Sequence, residues 1–227
     1  MIWSRIPTPL PSILPCEDET IFPLVLILAV LLGLPGDLSA DSSAGIITKV
    51  RGQVTARKTG DDKITTLRVG DGISVGHIVQ SAKGAAAQLV FTDDSVAIVM
   101  PGATLHVNQY GYSVVDNRRT AVVKVTGGCA RFVLYKARSS DSRFTVETGQ
   151  VSLSAGIADF FVCASPAGTE IANIGRSISV QNSSRLAVGR VQLGTNQKTT
   201  ITDKAPPSQP ATLTPEQRRK YLKDAEI

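Results

Sequence analysis

Two histidines, His77 and His106, are the first candidates for acid–base or metal chemistry in this chain of 227 residues. His77 follows Gly76 at a turn-to-strand junction. His106 stands between Leu105 and Val107, so on a strand it faces away from their buried side. Neither has a supporting context such as a Gly-x-Ser-x-Gly elbow or a His-Glu-x-x-His pair. The carboxylate pairs Asp61-Asp62 and Asp93-Asp94 are the right residue type for glycoside hydrolysis, which needs two carboxyls flanking one bond. Both pairs sit in turn sequences, however, and adjacent residues on a strand point to opposite faces. The expectation is no catalytic, metal or cofactor residue and no enzyme, with a polysaccharide-acting enzyme kept as a minor alternative.

Cysteine use points the same way. Cys129 and Cys163, with the two histidines, lack the spacing of a metal site. In an oxidising compartment the pair is a possible disulfide, worth roughly 3–4 kcal/mol in the chain-entropy view. Two buried thiols on neighbouring strands are the alternative. The third cysteine, Cys16, precedes an apolar run and is not placed like a lipoprotein cysteine.

The elements that position these residues are short and β-rich. Segments such as Ala87–Phe91, Thr120–Val125, Ala130–Tyr135 and Phe144–Glu147 are separated by Gly70-Asp71-Gly72, Asp93-Asp94, Pro101-Gly102 and Gly127-Gly128. Such spacing predicts an all-β architecture. Period-two alternation in Arg143–Glu147 and Ser177–Gln181 gives each strand one buried and one polar face. Between residues 45 and 204 no long stretch has helical periodicity, which excludes the parallel α/β enzyme folds. Residues 205–213 form a proline-rich linker expected to be extended. Thr214-Pro215-Glu216-Gln217 then opens a short basic helix over 214–227, with Thr214 as N-cap and Gln217 closing a capping box. Its Arg218, Arg219, Lys220 and Lys223 read as a solvated face, with contact to an anionic surface as the alternative.

Ile21 to Leu34 is apolar except for Pro23 and Gly33. At about 1.5 Å per residue it reaches roughly 21 Å, short of a hydrocarbon core of about 30 Å. With small residues at Ser42 and Ala44, residues 1–44 read as a signal peptide or leader; an uncleaved anchor with the β domain outside the cytoplasm is the alternative. Without residues 1–40, which hold Arg5 against Glu17, Asp18, Glu19 and Asp37, 23 basic and 15 acidic residues remain, and the balance rises from +5 to +8. Such a charge favours anionic polymers or head groups. No basic run interleaved with aromatics points to nucleic acid.

Taken in order, the turn and strand residues resemble the FecR-type domain of exported bacterial envelope proteins over roughly residues 45–202. Gly70-Asp71-Gly72 and Gly76 are similar to that family's glycine-led turns. Leu89-x-Phe91-x-Asp93-Asp94-Ser95 is similar to its strand, Asp-Gly turn and serine, with Asp94 standing where the family has glycine. Pro101, Phe144-x-Val146-x-Thr148, Gly156 and Phe160 continue the pattern, but the arginine that the family carries before Gly156 is missing. The resemblance implies a β domain over 45–204 of stacked short strands, solenoid-like or sandwich-like. It implies a periplasmic module that binds or senses an envelope protein or cell-wall polymer. Some relatives regulate sigma factors through a cytoplasmic helical region. About twenty residues precede the apolar run here, so that signalling role is the alternative and not the leading expectation.

Overall fold

The computed structural model of the chain describes residues 42–135, 141–183 and 188–227. The proposed leader through residue 41, and the start of the expected 186–193 strand, lie outside them. Among the described residues no helix is long and apolar enough to cross a membrane.

Among the described residues, seventeen strands form two open sheets packed face to face. Sheet I runs, by pairing, through β4 (Gly72–Ser74), β1 (Ser43–Arg51), β6 (Ala86–Phe91), β7 (Val96–Val99), the second half of β9 (Arg118–Leu134), β12 (Ala158–Ser165), β13 (Gly168–Asn173), β16 (Gln197–Ile201) and β17 (Ala211–Thr212). Sheet II runs through β3 (Thr65–Thr66), β2 (Val54–Lys58), β5 (His77–Ser81), β8 (Thr104–Ser113), the first half of β9, β10 (Arg143–Glu147), β11 (Val151–Ala155), β14 (Ile178–Asn182) and β15 (Arg190–Leu193). All neighbours are antiparallel except β9 and β10, which run parallel. This is the sandwich-like form of the expected all-β fold, with period-two strands burying one face each.

The sequence suggested two strands around a Gly127-Gly128 turn. Instead β9 is a single strand of 17 residues that passes from sheet II to sheet I at that point. Gly128 makes the crossing possible. Its φ is +69°, and a Cβ there would come within 2.6 Å of the Ala103 Cα. Glycine is the residue that accepts both conditions at little cost.

The core lies between the sheets. Phe91, Phe132 and Phe160 from sheet I meet Tyr110 and Phe144 from sheet II, with Phe91 and Phe144 edge-on at 5.4 Å and Phe132 and Phe144 at 5.9 Å. Rings buried at such distances add about 0.5–1.5 kcal/mol per pair beyond area burial.

The proline-rich stretch is not a free spacer. Ala211–Thr212 pairs with β16, and the Ser208 N–H donates to the Thr200 carbonyl, so the segment is laid along the edge of sheet I. The helix α1 (Pro215–Asp224) follows, with Thr214 as N-cap and the Thr214–Gln217 capping box closed in both directions. Its basic residues face solvent, while Tyr221 and Leu222, with Ala225 just beyond, pack on Ile98, Met100, Phe161 and Ala172 of sheet I's outer surface. Part of sheet I's outer face is thus covered by α1. Sheet II is covered on one side.

Candidate functional site

The polar groups with most chemical potential meet at one end of the sandwich, and they are buried. The tight turn between β6 and β7 places Asp93 and Ser95 inward and Asp94 outward; Asp94 takes the left-handed conformation (φ 66°). Arg119, at the start of β9, is fully buried and forms an ion pair with Asp93. Its guanidinium also donates to Ser95 Oγ at 2.7 Å and to the Gly156 carbonyl at 2.9 Å, and it lies 5.2 Å from the centre of the Phe144 ring. Tyr110 donates to Asp93 Oδ1 at 2.7 Å, and Ser95 donates to Oδ2 at 2.8 Å. Burial pushes the Tyr110 phenol above its ordinary value, and the hydrogen bond and charge of Asp93 add to this against an opposing pull from Thr92.

Arg119 thus reaches the Gly156 carbonyl from a strand 37 residues away in sequence. One carboxylate, one guanidinium, a serine and a tyrosine bond one another, and together they tie the β6–β7 turn of sheet I and the β11–β12 turn between the sheets to two strands of sheet II. The Arg119 Nε alone finds no acceptor among the described residues. A charged pair this deep is costly to desolvate and expensive to break, and here it joins the β6–β7 turn of sheet I to β9.

Phe91, Asp93, Ser95, Phe144 and Gly156, all picked from the sequence, converge on this network. Tyr110 and Arg119 were missed, because strand sequence alone does not say which arginine turns inward. The other selected residues are dispersed. Gly70 and Gly76 take positive φ in their turns, 99° and 87°, and Asp71 accepts from the Arg68 N–H at 2.7 Å. Pro101 lies in the turn after β7, and Val146 and Phe160 are core residues. Thr148 belongs to a second buried polar cluster, with its Oγ1 2.7 Å from that of Thr169, which donates to Gln150 at 3.0 Å.

The two histidines occupy neighbouring strands but do not share a face, since it is Ile78, not His77, that lies opposite His106. His77 Nδ1 accepts from the Ser74 N–H at 3.2 Å, a turn contact. His106 lies on the outer surface of sheet II, 3.1 Å from Thr126 Oγ1. Partial burial, then the charges of Lys124 and Arg57, hold its pKa below the ordinary value. Of the expected carboxylate pairs, Asp93 and Asp94 point to opposite sides of their turn. Among the described residues no group of three or more His, Cys, Asp or Glu could hold a metal.

Two surfaces remain. On the outside of sheet I, Cys129 and Cys163 lie directly opposite one another on β9 and β12 and form a disulfide. The disulfide borders a crevice of about 370 Å³ under α1, with Met100 on its floor. There Glu170 accepts from Tyr221 and, at 2.9 Å, from Lys198. Burial raises the Glu170 carboxyl, but the Tyr221 bond and the Lys198 bond and charge outweigh it, and the net pKa is lowered.

Among the described residues, no helix packs on the outside of sheet II. Registers place Arg57, Ile78, His106, Lys124, Glu147, Ser152, Gln181 and Arg190 in one row across eight strands. At about 4.8 Å per strand the row is roughly 34 Å long.

No family model matches the sequence, and no curated protein does. Similar solved structures include two crystal structures of a candidate anti-sigma factor from Parabacteroides distasonis, at 1.65 and 2.50 Å resolution. Each has a TM-score of 0.50, at 16% and 15% identity, over 64% of this chain and 64% and 63% of theirs. The chain spans under two thirds of the length of these structures, and at such identity the likeness establishes a shared all-β fold.

Proposed function

We propose that this chain is a non-catalytic recognition and sensing module of the bacterial envelope, of FecR type. The observation that carries the reading is the disposition of its polar groups. The acid, base and hydroxyl groups that could do chemistry together are locked into a buried sheet-to-sheet tie, whereas an uncovered strand face of eight strands is left for contact. A broad strand face on which, among the described residues, no acid, base and nucleophile converge suits binding. Part of the FecR-like pattern, Asp93, Ser95, Phe144 and Gly156, meets at the tie, and that supports the resemblance.

A signalling role is the second reading, supported by the likeness in fold to the candidate anti-sigma factor. Fold-level likeness is a weak warrant for a specific role. The two readings separate in one experiment: recovery of the protein with its bound partners from its own envelope, with N-terminal sequencing of the recovered chain. A processed chain bound to an envelope protein or polymer is the expected result. A full-length, membrane-held chain bound to a cytoplasmic transcription regulator would replace the first reading with the second.

A further inference from the structure

The two sheets treat carboxylates differently. On sheet I both strand carboxylates are matched: Asp159 takes both ends of Arg131, at 2.9 and 2.8 Å, and Glu170 takes Lys198. The strands of sheet II carry one carboxylate, Glu147, yet they present Arg57, Arg118, Lys124, Arg143 and Arg190 outward. Among the described residues none of these five is in an ion pair. Arg57 and Lys124 flank His106 closely enough to disfavour its protonation, so their fields overlap.

Uncompensated cations on one uncovered, regular face cost stability through mutual repulsion, and a matching anion relieves that cost. Between the cations the face offers hydroxyls and amides: Thr145, Ser152, Ser154, Ser179, Gln181 and Gln192. Its row holds a single ring, the His106 imidazole, because Tyr110 and Tyr112 turn into the core. Single-stranded nucleic acid is held largely by successive bases stacking on several aromatic side chains, and one imidazole does not supply that. An extended peptide is held best through backbone pairing at a sheet edge, whereas the backbone groups of this face are already spent in its ladders. The chemistry left is charge plus side-chain hydrogen bonding to a chain dense in carboxylates and hydroxyls.

We propose that the outer face of sheet II binds an acidic polysaccharide laid across its strands, with Arg57, Lys124 and Arg190 pairing its carboxylates. This rests on the reading of the chain as a binding module and names the class of ligand.

The test is titration of the full chain with polygalacturonate, with dextran as the neutral polymer and polyglutamate as the acidic peptide. Polygalacturonate is expected to bind, to be released by added salt, and to outcompete polyglutamate; dextran is expected not to bind. R57Q/K124Q should weaken binding about tenfold through lost counterion release. R190Q, at the other end of the row, should weaken it separately, while R218Q/R219Q on α1 should bind as the parent does. Absence of polygalacturonate binding, a larger loss in the α1 variant, or equal affinity for polyglutamate would each overturn the proposal. Shortening of the polymer during incubation would instead strike the non-catalytic reading. A partner recovered from the envelope without polygalacturonate binding would leave that reading standing and remove only this inference.

Discussion

Asp93 carries the most weight per atom in this molecule. Replacing it with alanine leaves Arg119 buried and charged without its counter-ion, and breaking such a pair costs about 3–5 kcal/mol. Urea denaturation of D93A should show that loss, and the double variant D93L/R119M should recover much of it, since it removes both charges together. His106 gives a pH signature. Its folded-state pKa lies below the ordinary 6.5, so the fold favours the neutral ring. Its contribution is therefore complete above pH 6.5 and is lost as pH falls through the folded value. Denaturation midpoints at pH 7.5 and 5.5 should diverge more for the parent than for H106Q. At this scale the turn residues Asp93, Asp94 and Ser95 were legible, because a tight turn between two apolar strands restricts residue type. Arg119 was not, since its neighbour Arg118 is chemically identical and only strand phase distinguishes the inward side chain.

Among the elements, α1 was legible at its start and unreadable in its placement. Thr214, Pro215 and Gln217 are local capping signals, and the helix begins where they put it. Its docking depends on Tyr221 and Leu222 meeting Phe161 and Met100, residues brought together only by the sheet. The Tyr221–Glu170–Lys198 contacts pin this arrangement. Because the Glu170 pKa is lowered in the folded state, the stability it lends is present above its ordinary value of 4.5 and is lost as pH falls through the folded one. Tyrosine fluorescence should report α1 loosening on acidification below about pH 4.5, and E170Q should shift that loosening to neutral pH. The linker over 205–213 was expected to be extended because proline suits such backbone; where that backbone lies, along the edge of sheet I, was not legible.

Across the whole molecule, the Cys129–Cys163 bond closes a loop between residues 34 apart. It ties β9, the strand shared by both sheets, to β12. Reduction should lower stability by roughly 3–4 kcal/mol in the chain-entropy view, measured as a shift in denaturation midpoint with and without reductant. C129A/C163A should match the reduced protein. A smaller shift would mean that the ladder between β9 and β12 already restrains that loop.

Composition, turn spacing and period-two alternation were enough to establish an all-β chain with one capped terminal helix, because these are local properties of the backbone and of side-chain phase. They could not decide how the strands partition between two layers, which depends on a single glycine letting β9 cross over. Nor could they decide that one outer face carries α1 and has its two strand carboxylates matched, while the other carries no helix and more cations than carboxylates. Both outcomes come from contacts between residues far apart in the chain, and pairing of that kind leaves no mark at either position alone.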